Sequence, residues 1–178
     1  MLTMDIPDQS STASTETCRT YRSTETNGNG GQLLTFHHTL DIYLKDSNAY
    51  ANTYFSRYFE WQGICRERWF HECIAPDMLQ SLGLLITKHA EQDYIRETFP
   101  FQKVECFLNT YQVRKCSASL LFRFFVADNL VSVGRQKLVF ANHARQVAPF
   151  PIEIIEKVKR YEIATPDAVA AAYPRPAG

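Results

Sequence analysis

The 178-residue chain lacks any long apolar run. None of its stretches reaches the ~18 apolar residues that a membrane-spanning helix needs, so we expect no membrane span. The N-terminus is acidic and rich in Ser and Thr, which excludes a secretory signal. An excess of one charge is also absent, with 19 Lys and Arg against 19 Asp and Glu. Nucleic acid or a membrane surface would favour a basic excess, so neither partner is expected.

Metal-binding spacing is missing as well. The five cysteines, at positions 18, 65, 73, 106 and 116, form no CxxC and no Cys/His pattern. Most lie in apolar segments, so we expect reduced, buried thiols in a cytoplasmic protein without a metal or another cofactor. Cys65 is a poor nucleophile candidate because no His lies within a helical turn on its N-terminal side. His37 and His38 are adjacent on a predicted strand and point to opposite faces, which argues against a two-histidine metal site.

With 45% hydrophobic residues, the chain can bury one core, and we expect one domain. Residues 1–31 are rich in Ser, Thr, Gly and Asn and nearly free of large apolar side chains. They therefore predict a disordered tail. The domain itself is predicted over residues 32–163, and the Ala- and Pro-rich residues 164–178 predict a second flexible tail.

Periodicity predicts one long helix followed mainly by strands. Strict alternation begins at Leu34, and the Asp128-Asn129 pair is suited to a tight hairpin turn. We expect strands at Leu34–Leu44, Leu82–Ile95, Val104–Lys115, Ala118–Ala127 and Leu130–Asn142, a long helix from about Thr53 to His71, and a short helix after Pro151. This order indicates an α+β protein with the hotdog fold, in which a curved antiparallel sheet of about five strands wraps a long central helix.

Aromatic and apolar side chains cover much of the predicted long helix. They form two stripes at helical spacing, one of Tyr54, Tyr58, Trp61, Cys65 and Trp69 and one of Phe55, Phe59 and Phe70. A surface helix needs only one such stripe, so this pattern predicts a helix enclosed by other structure. Gln62 and Arg66 lie four residues apart close to these stripes. A guanidinium placed there needs an anionic or strongly polar partner.

The region from about Thr35 to Ala148 resembles the hotdog thioesterases of the 4-hydroxybenzoyl-CoA thioesterase superfamily. Their D-x-D-x-x-G loop before the helix corresponds to Asp46 through Ala51. More closely, the pattern N-x-x-x-N-x-Y-(6)-W-Q-G-x-C-R-E, from Asn48 to Glu67, is similar to the thioesterases of enediyne polyketide pathways.

Three departures from the wider family affect the mechanism. Asn48 stands where the wider family has its catalytic carboxylate, Ala51 replaces the loop Gly, and Gly63 stands where many relatives have Glu. An amide can neither attack a thioester as a carboxylate does nor act as a base near neutral pH. The resemblance to the enediyne-type members therefore implies that Asn48 and Arg66 are used instead.

Our hypothesis for the site is direct attack of water on a thioester at a subunit interface. The expected catalytic residues are Asn48, Arg66 and Tyr58, and the expected substrate-binding residues are Tyr54, Phe55, Phe59, Trp61 and Gln62. Unpaired N–H groups at Tyr54 and Phe55, at the start of the helix, would meet the thioester oxygen. Arg66 would hold the second carbonyl or the enolate of a β-keto acyl chain.

Each of these residues also has a structural interpretation. Asn48 could be only a turn or capping residue, and Arg66 could form an ion pair with Glu67 or with Asp46 of a neighbouring subunit. Tyr58 could serve packing alone, and Gln62 could fix the helix against the sheet. Phe59 and Trp61 could equally line an acyl tunnel or fill the core.

The resemblance implies an acyl group on an acyl carrier protein or on CoA, and a homodimer that assembles to a tetramer. Specifically, it implies a β-keto or polyene chain made by an iterative polyketide synthase. Four basic residues, Arg57, Arg68, Arg135 and Lys137, are candidates for a docking patch, although a scattered solvated surface explains them equally well. The alternatives are a general acyl-CoA thioesterase, a hotdog dehydratase using His37 or His38, and a non-catalytic acyl-binding module.

Overall fold

The structure is a computed structural model that describes residues 20–26, 31–77, 83–164 and 166–167. Its strands are β1 (Thr20–Thr26), β2 (Gln32–Asp41), β3 (Leu84–Tyr94), β4 (Lys103–Tyr111), β5 (Ser117–Val126) and β6 (Asn129–Ala141), and its helices are α1 (Arg57–Trp69) and α2 (Ile152–Lys159). A 3-10 turn at Leu44–Asp46 precedes α1, and a π-helical segment at Phe70–Ile74 extends it.

All six strands form one antiparallel sheet in the order β1-β2-β4-β5-β6-β3. The two innermost strands, β4 and β5, are buried on both faces along most of their length, as the apolar run Leu120–Val126 predicts. Arg123 interrupts that run and is buried, where it donates a hydrogen bond to Asn109 Oδ1. The α+β class and the single long helix are thus confirmed, and the predicted strands are β2 to β6.

One face of α1 packs on the sheet. The side chains of Tyr58, Trp61, Cys65 and Trp69 are buried there among apolar side chains of β2, β4 and β5. Burial of each large side chain contributes roughly 1.5–3 kcal/mol, which makes this face the main attachment of the helix.

The opposite face of α1 is open in the single chain. Phe55 just before the helix is 55% exposed, and Phe59 and Ile64 within it are 37% and 41% exposed. The prediction that other structure encloses the helix on most sides is therefore wrong for one chain. Of the first stripe, Tyr58, Trp61, Cys65 and Trp69 are buried and Tyr54 is exposed. Of the second stripe, only Phe70 is buried.

Residues 20–26 correct the predicted disordered tail. They form β1, which pairs with β2 through backbone hydrogen bonds and therefore needs few apolar side chains. Thr20 Oγ1 also lies 3.4 Å from the Tyr161 hydroxyl oxygen. The rest of the predicted N-terminal tail, except Gly31, and most of the C-terminal tail lie outside the described residues.

The cysteines differ from the prediction at one position. Cys73 is disulfide-bonded, so the prediction of reduced thiols is wrong there. Cys65, Cys106 and Cys116 are free, and Cys65 is fully buried in the core. Cys18 lies outside the described residues. Cysteine usage consequently no longer argues for a cytoplasmic location.

Two structural features are absent from the described residues. No helix among them is both long enough and apolar enough to cross a membrane. Nor do they contain a group of three or more His, Cys, Asp or Glu side chains that could hold a metal ion.

Candidate active site

A cavity of about 330 Å³ lies beside the start of α1, and we call it the Asn48 cavity. It is formed where the loop before α1 meets the connection between β3 and β4. The described residues that line it are Asn48, Asn52, Thr53, Tyr54, Phe55, Tyr58, Tyr94, Ile95, Arg96, Glu97 and Thr98. Two of the three predicted catalytic residues, Asn48 and Tyr58, therefore share one cavity.

Asn48 heads a tight turn. Its backbone N–H donates to Asn52 O at 2.9 Å, and Ala51 N–H donates to Asn48 O at 3.0 Å. Ala51 is in the left-handed region with φ of 64°, where Gly has no steric penalty. The Asn48 side-chain oxygen accepts the Tyr50 N–H at 2.8 Å, and the side-chain amide has no partner among the described residues. Asn48 is thus a turn residue that keeps a free hydrogen-bond donor.

Asp46 anchors this turn to the protein. Its buried carboxylate accepts the Tyr43 N–H at 2.9 Å and forms ion pairs with Lys45 at 3.0 Å and Arg57 at 3.6 Å. Burial alone would raise the pKa of Asp46, but the hydrogen bond and the two cations outweigh burial and lower it. The Asp46 backbone oxygen also accepts the Tyr54 N–H at 2.8 Å.

The hydrogen bond from Tyr54 N–H to Asp46 O changes which backbone donors are free for an oxyanion. The helix was expected from about Thr53 but begins at Arg57, because Thr53 N–H donates to Thr98 O and Tyr54 N–H to Asp46 O. Tyr54 N–H is thereby used. Phe55 N–H has no hydrogen-bond partner among the described residues, so it is the remaining donor of the predicted pair.

Tyr58 is held by a chain of hydroxyl groups. Its oxygen lies 2.9 Å from Thr98 Oγ1, which donates to Thr53 Oγ1 at 2.8 Å. The ring packs edge-on against Tyr94, with centroids 5.5 Å apart. Burial raises the pKa of the Tyr58 phenol, so the group is a neutral hydroxyl near neutral pH.

Arg66 lies elsewhere in the same chain. It is eight residues beyond Tyr58, or about 12 Å along the helix, and lines a second cavity of about 290 Å³. The described lining of this Arg66 cavity is Arg66, Glu67, Phe70, His71, Ala75, Pro76 and Leu85. The guanidinium donates to Thr87 Oγ1 at 2.7 Å and pairs with Glu67 at 3.1 Å. One chain alone does not bring Arg66 to Asn48.

Only some of the predicted substrate-binding residues line a cavity. Tyr54 and Phe55 line the Asn48 cavity, whereas Phe59, Trp61 and Gln62 line neither cavity. Trp61 is core, packed on Tyr58 with ring centroids 4.7 Å apart.

Gln62 binds the sheet. Its fully buried amide donates to Gln92 Oε1 at 2.5 Å and to Glu91 O at 3.0 Å. A Cβ on Gly134 would overlap the Gln62 amide nitrogen and lie 2.7 Å from Gln92 Oε1, so only Gly leaves room for this bridge. The structural interpretation of Gln62 is the one that the geometry favours.

The connection between β3 and β4 contributes charged residues that the sequence pattern did not predict. Arg96 and Glu97 are the only charged side chains among the described residues that line the Asn48 cavity. Glu97 Oε1 accepts the Asn52 amide at 2.6 Å, while Arg96 forms no ion pair with any described residue. The only sequence feature that could have indicated these two residues is that Arg96 and Glu97 are consecutive, opposite charges in a predicted loop. Their position depends on contacts across more than 40 residues, which no local pattern reports.

The proposed docking patch is largely neutralised. Arg57 pairs with Glu60 and Asp46, Arg68 pairs with Glu72, and Arg135 pairs with Glu91, Asp93 and Asp167. Charges paired with acidic neighbours are weak attractors for an acidic partner.

The His/acid pair that a dehydratase needs also lies apart from both cavities. His37 is 3.3 Å from Glu105, and neither residue lines the Asn48 cavity or the Arg66 cavity.

Comparisons with known proteins agree with this architecture. The model of the Thioesterase-like superfamily matches residues 42–158. The dynemicin thioesterase superposes with a TM-score of 0.66 at 23% identity, over 74% of this chain and 99% of that chain.

Two further solved structures have the same fold. A 1,4-dihydroxy-2-naphthoyl-CoA thioesterase from Synechocystis has a TM-score of 0.62 at 18% identity, over 70% of this chain and 95% of its own. A Thermus thermophilus thioesterase complexed with coenzyme A and Zn has a TM-score of 0.63 at 20% identity, over 69% and 90%. No curated protein matches the sequence. Because the family model spans 117 of the 178 residues, from 42 to 158, the chain belongs to the Thioesterase-like superfamily.

Proposed function

We propose that this protein hydrolyses a β-keto or polyene acyl thioester delivered by the acyl carrier protein of an iterative polyketide synthase. The observation that carries the proposal is the Asn48 cavity. It combines the free side-chain amide of Asn48, the free Phe55 N–H just before α1 and the neutral phenol of Tyr58 in a chain of the Thioesterase-like superfamily. Such groups suit an acyl-transfer site, where charge develops on the carbonyl oxygen.

The free donors define the role of Asn48. Its side-chain oxygen already accepts the Tyr50 N–H, so the amide N–H₂ is the group left for substrate. Together with Phe55 N–H, it would bind the thioester oxygen as that oxygen becomes negative. Water adds to the thioester carbon, the C–S bond then breaks, and the proton lost by water ends on sulfur, which leaves as a thiol.

Arg66 enters this site from a second subunit. In the sheet, β3 pairs with β6 on one side only, and its other edge has no partner among the described strands. The end of β3 contacts the Asn48 cavity through Tyr94, whereas Thr87, near its beginning, contacts Arg66. Antiparallel pairing of two β3 edges would set the beginning of one beside the end of the other. The partner's Arg66 would then approach this chain's Asn48.

This dimer would also cover the open face of α1. Phe59 and Ile64 are exposed on α1, and β3 is exposed along most of its length. A single dimer interface would bury the apolar face of the helix and pair the free strand edge. The exposed aromatic side chains therefore support a homodimer, with the tetramer as a further step of assembly.

The mechanism assigns no proton transfer to a carboxylate. Glu97 is the only carboxylate among the described residues of the cavity, and its hydrogen bond to the Asn52 amide gives it a structural task. Glu97→Gln retains an acceptor for that bond and removes the base. We expect the turnover of this variant to stay within about 3-fold of the wild type, since exposed substitutions of this kind have small effects. The shape of its pH–rate profile should not change. Loss of the acidic limb of the profile would instead make Glu97 the base.

The carrier separates the two enzyme alternatives. The Thermus thermophilus thioesterase was solved in complex with coenzyme A and Zn, and its CoA favours a general acyl-CoA thioesterase. The dynemicin thioesterase undergoes induced-fit and allosteric effects upon polyene binding, which favours the polyketide substrate.

Initial rates on the same β-keto acyl group, attached to an acyl carrier protein or to CoA, test the choice. A faster reaction on the carrier protein supports the proposal. Equal or faster CoA hydrolysis supports the general thioesterase, and no hydrolysis of either thioester leaves the acyl-binding module.

A further inference from the structure

Arg96 is the unpaired cation of the Asn48 cavity. Five other arginine or lysine side chains near α1 and β3 already have acidic partners: Lys45, Arg57, Arg66, Arg68 and Arg135. Arg96 forms neither an ion pair nor a side-chain hydrogen bond with any described residue, although it lines the cavity beside Asn48. A guanidinium with five free donors in such a place can bind a ligand oxygen.

The backbone at Arg96 is held on both sides. The N–H groups of Ile95 and Arg96 both donate to Val131 O at 3.0 Å. The next two residues are tied to the loop before α1, through Glu97 to Asn52 at 2.6 Å and through Thr98 to Thr53 at 2.8 Å. Arg96 therefore extends from a fixed backbone and not from a free loop.

Asn48 and Arg96 line the same cavity of about 330 Å³, so a thioester bound at Asn48 lies in the cavity that Arg96 faces. The phosphate of a phosphopantetheine arm is separated from its sulfur by roughly 15 Å when extended, comparable to four or five residues of chain. The acyl group therefore lies nearer to the Asn48 turn than the phosphate does. Since Arg96 is exposed, CoA thioesters, which carry the phosphate, are the substrates that separate the two oxygens.

We propose that Arg96 is a specificity-determining residue that binds the β-oxygen of the acyl chain and so favours β-oxo acyl thioesters over saturated ones. This inference rests on the proposed thioesterase function. It places this chain's own Arg96 at the β-oxygen beside the partner's Arg66, the residue expected there from the sequence. A keto oxygen or an enolate accepts a charge-assisted hydrogen bond, whereas a saturated chain offers nothing at that position.

The test compares two substrates on a carrier without phosphate. The thioesters of N-acetylcysteamine with a 3-oxo acyl chain and with the saturated chain of equal length are hydrolysed by the wild type and by Arg96→Gln. We expect kcat/KM for the 3-oxo thioester to fall about 10- to 100-fold, the range for loss of a charge-assisted hydrogen bond, and to change less than about 3-fold for the saturated one. Arg114→Gln is the matched control, since Arg114 is exposed in the β4–β5 connection and lines neither cavity.

The remaining outcomes overturn the inference in distinguishable ways. Equal losses for both substrates, or no loss for either, refute a role in selectivity. The same two acyl groups are also measured as CoA thioesters, and a loss that appears only with CoA assigns Arg96 to the phosphate instead. If the wild type hydrolyses neither these thioesters nor the same acyl groups on an acyl carrier protein, the proposed function itself fails. Circular dichroism and the midpoint of thermal unfolding show whether Arg96→Gln is folded.

Discussion

Two turns of this protein have nearly the same backbone and different surroundings. In the first, Asn48 N–H donates to Asn52 O, Ala51 N–H donates to Asn48 O, and Ala51 has φ of 64°. In the second, residues 142–146, Asn142 N–H donates to Gln146 O, Arg145 N–H donates to Asn142 O, and Arg145 has φ of 60°. Both turns begin with Asn because its side chain can accept a nearby backbone N–H.

The difference between the turns lies beyond their backbones. Only the Asn48 turn lines a cavity among those described, next to a helix start and a neutral tyrosine. Only that turn is anchored by a buried carboxylate, Asp46, and clamped by the β3–β4 connection. An Asn in a turn is therefore no evidence of function by itself. The free amide in a cavity is what separates Asn48 from Asn142.

The largest expected effect comes from removing each of these two side chains. Asn48→Ala should lower kcat by about 10²- to 10³-fold, the loss found when one oxyanion donor is removed. Asn142→Ala loses the same kind of turn hydrogen bond and should leave kcat within about 3-fold. Steady-state kinetics on a β-keto acyl thioester compares them. Similar kcat values for the two variants would reduce Asn48 to a turn residue.

The anchor of the first turn predicts a pH-dependent difference in stability. Asp46→Asn should lower the free energy of unfolding by about 1–3 kcal/mol at pH 7, since it weakens buried charge-assisted hydrogen bonds. The pKa of Asp46 is lowered in the folded state, so its contribution is complete above the unfolded value of about 3.9 and is lost as pH falls through the folded value.

Urea unfolding of wild type and Asp46→Asn at pH 7 and near pH 3 measures this contribution. The two free energies should differ most at pH 7 and converge in acid. A difference that is constant with pH would mean that the Asp46 carboxylate contributes through shape alone and not through its charge.

The smallest expected effect concerns the left-handed residues. A non-Gly residue in the left-handed region destabilises the folded state by roughly 1–2 kcal/mol. Substitution by Gly removes this strain, but the more flexible unfolded chain offsets about 0.5–1 kcal/mol of the gain. Ala51→Gly and Arg145→Gly should thus each raise the free energy of unfolding by about 0.5–1 kcal/mol. Urea unfolding at pH 7 measures both. A decrease for Ala51→Gly alone would show that the Ala51 methyl group is packed in the first turn.

The left-handed Ala51 also explains one departure from the family pattern. The wider family has Gly at this position, and the backbone here is one that Gly adopts without strain. The sequence motif could therefore identify the turn, although the conformation of Ala51 is visible only in the structure.

The sequence predicted the regular elements well and their ends less well. Alternation and helical spacing located β2 to β6, α1 and α2 to within a few residues, because each element has a periodic apolar face. The start of α1 was placed four residues too early. Thr53 and Tyr54 are helix-compatible in isolation, but their N–H groups bind Thr98 O and Asp46 O.

The candidate site was predictable only in part. The motif identified Asn48 and Tyr54, and the aromatic stripes identified Phe55 and Tyr58. The structure gathers all four around one cavity. Gln62 and Trp61 share the helix but face the sheet, a distinction that depends on tertiary packing. Arg96 and Glu97 could not be predicted, since only the folded β3–β4 connection brings them to the Asn48 turn.

The most direct test of the account asks whether Asn48 and Arg66 act together across two subunits. Asn48→Ala and Arg66→Ala chains carrying different tags are co-expressed, and the mixed dimer is isolated through both tags. If each site takes Asn48 from one chain and Arg66 from the other, the mixed dimer contains one intact site and should have about half the wild-type turnover. A mixed dimer as inactive as the two parent variants would contradict the account.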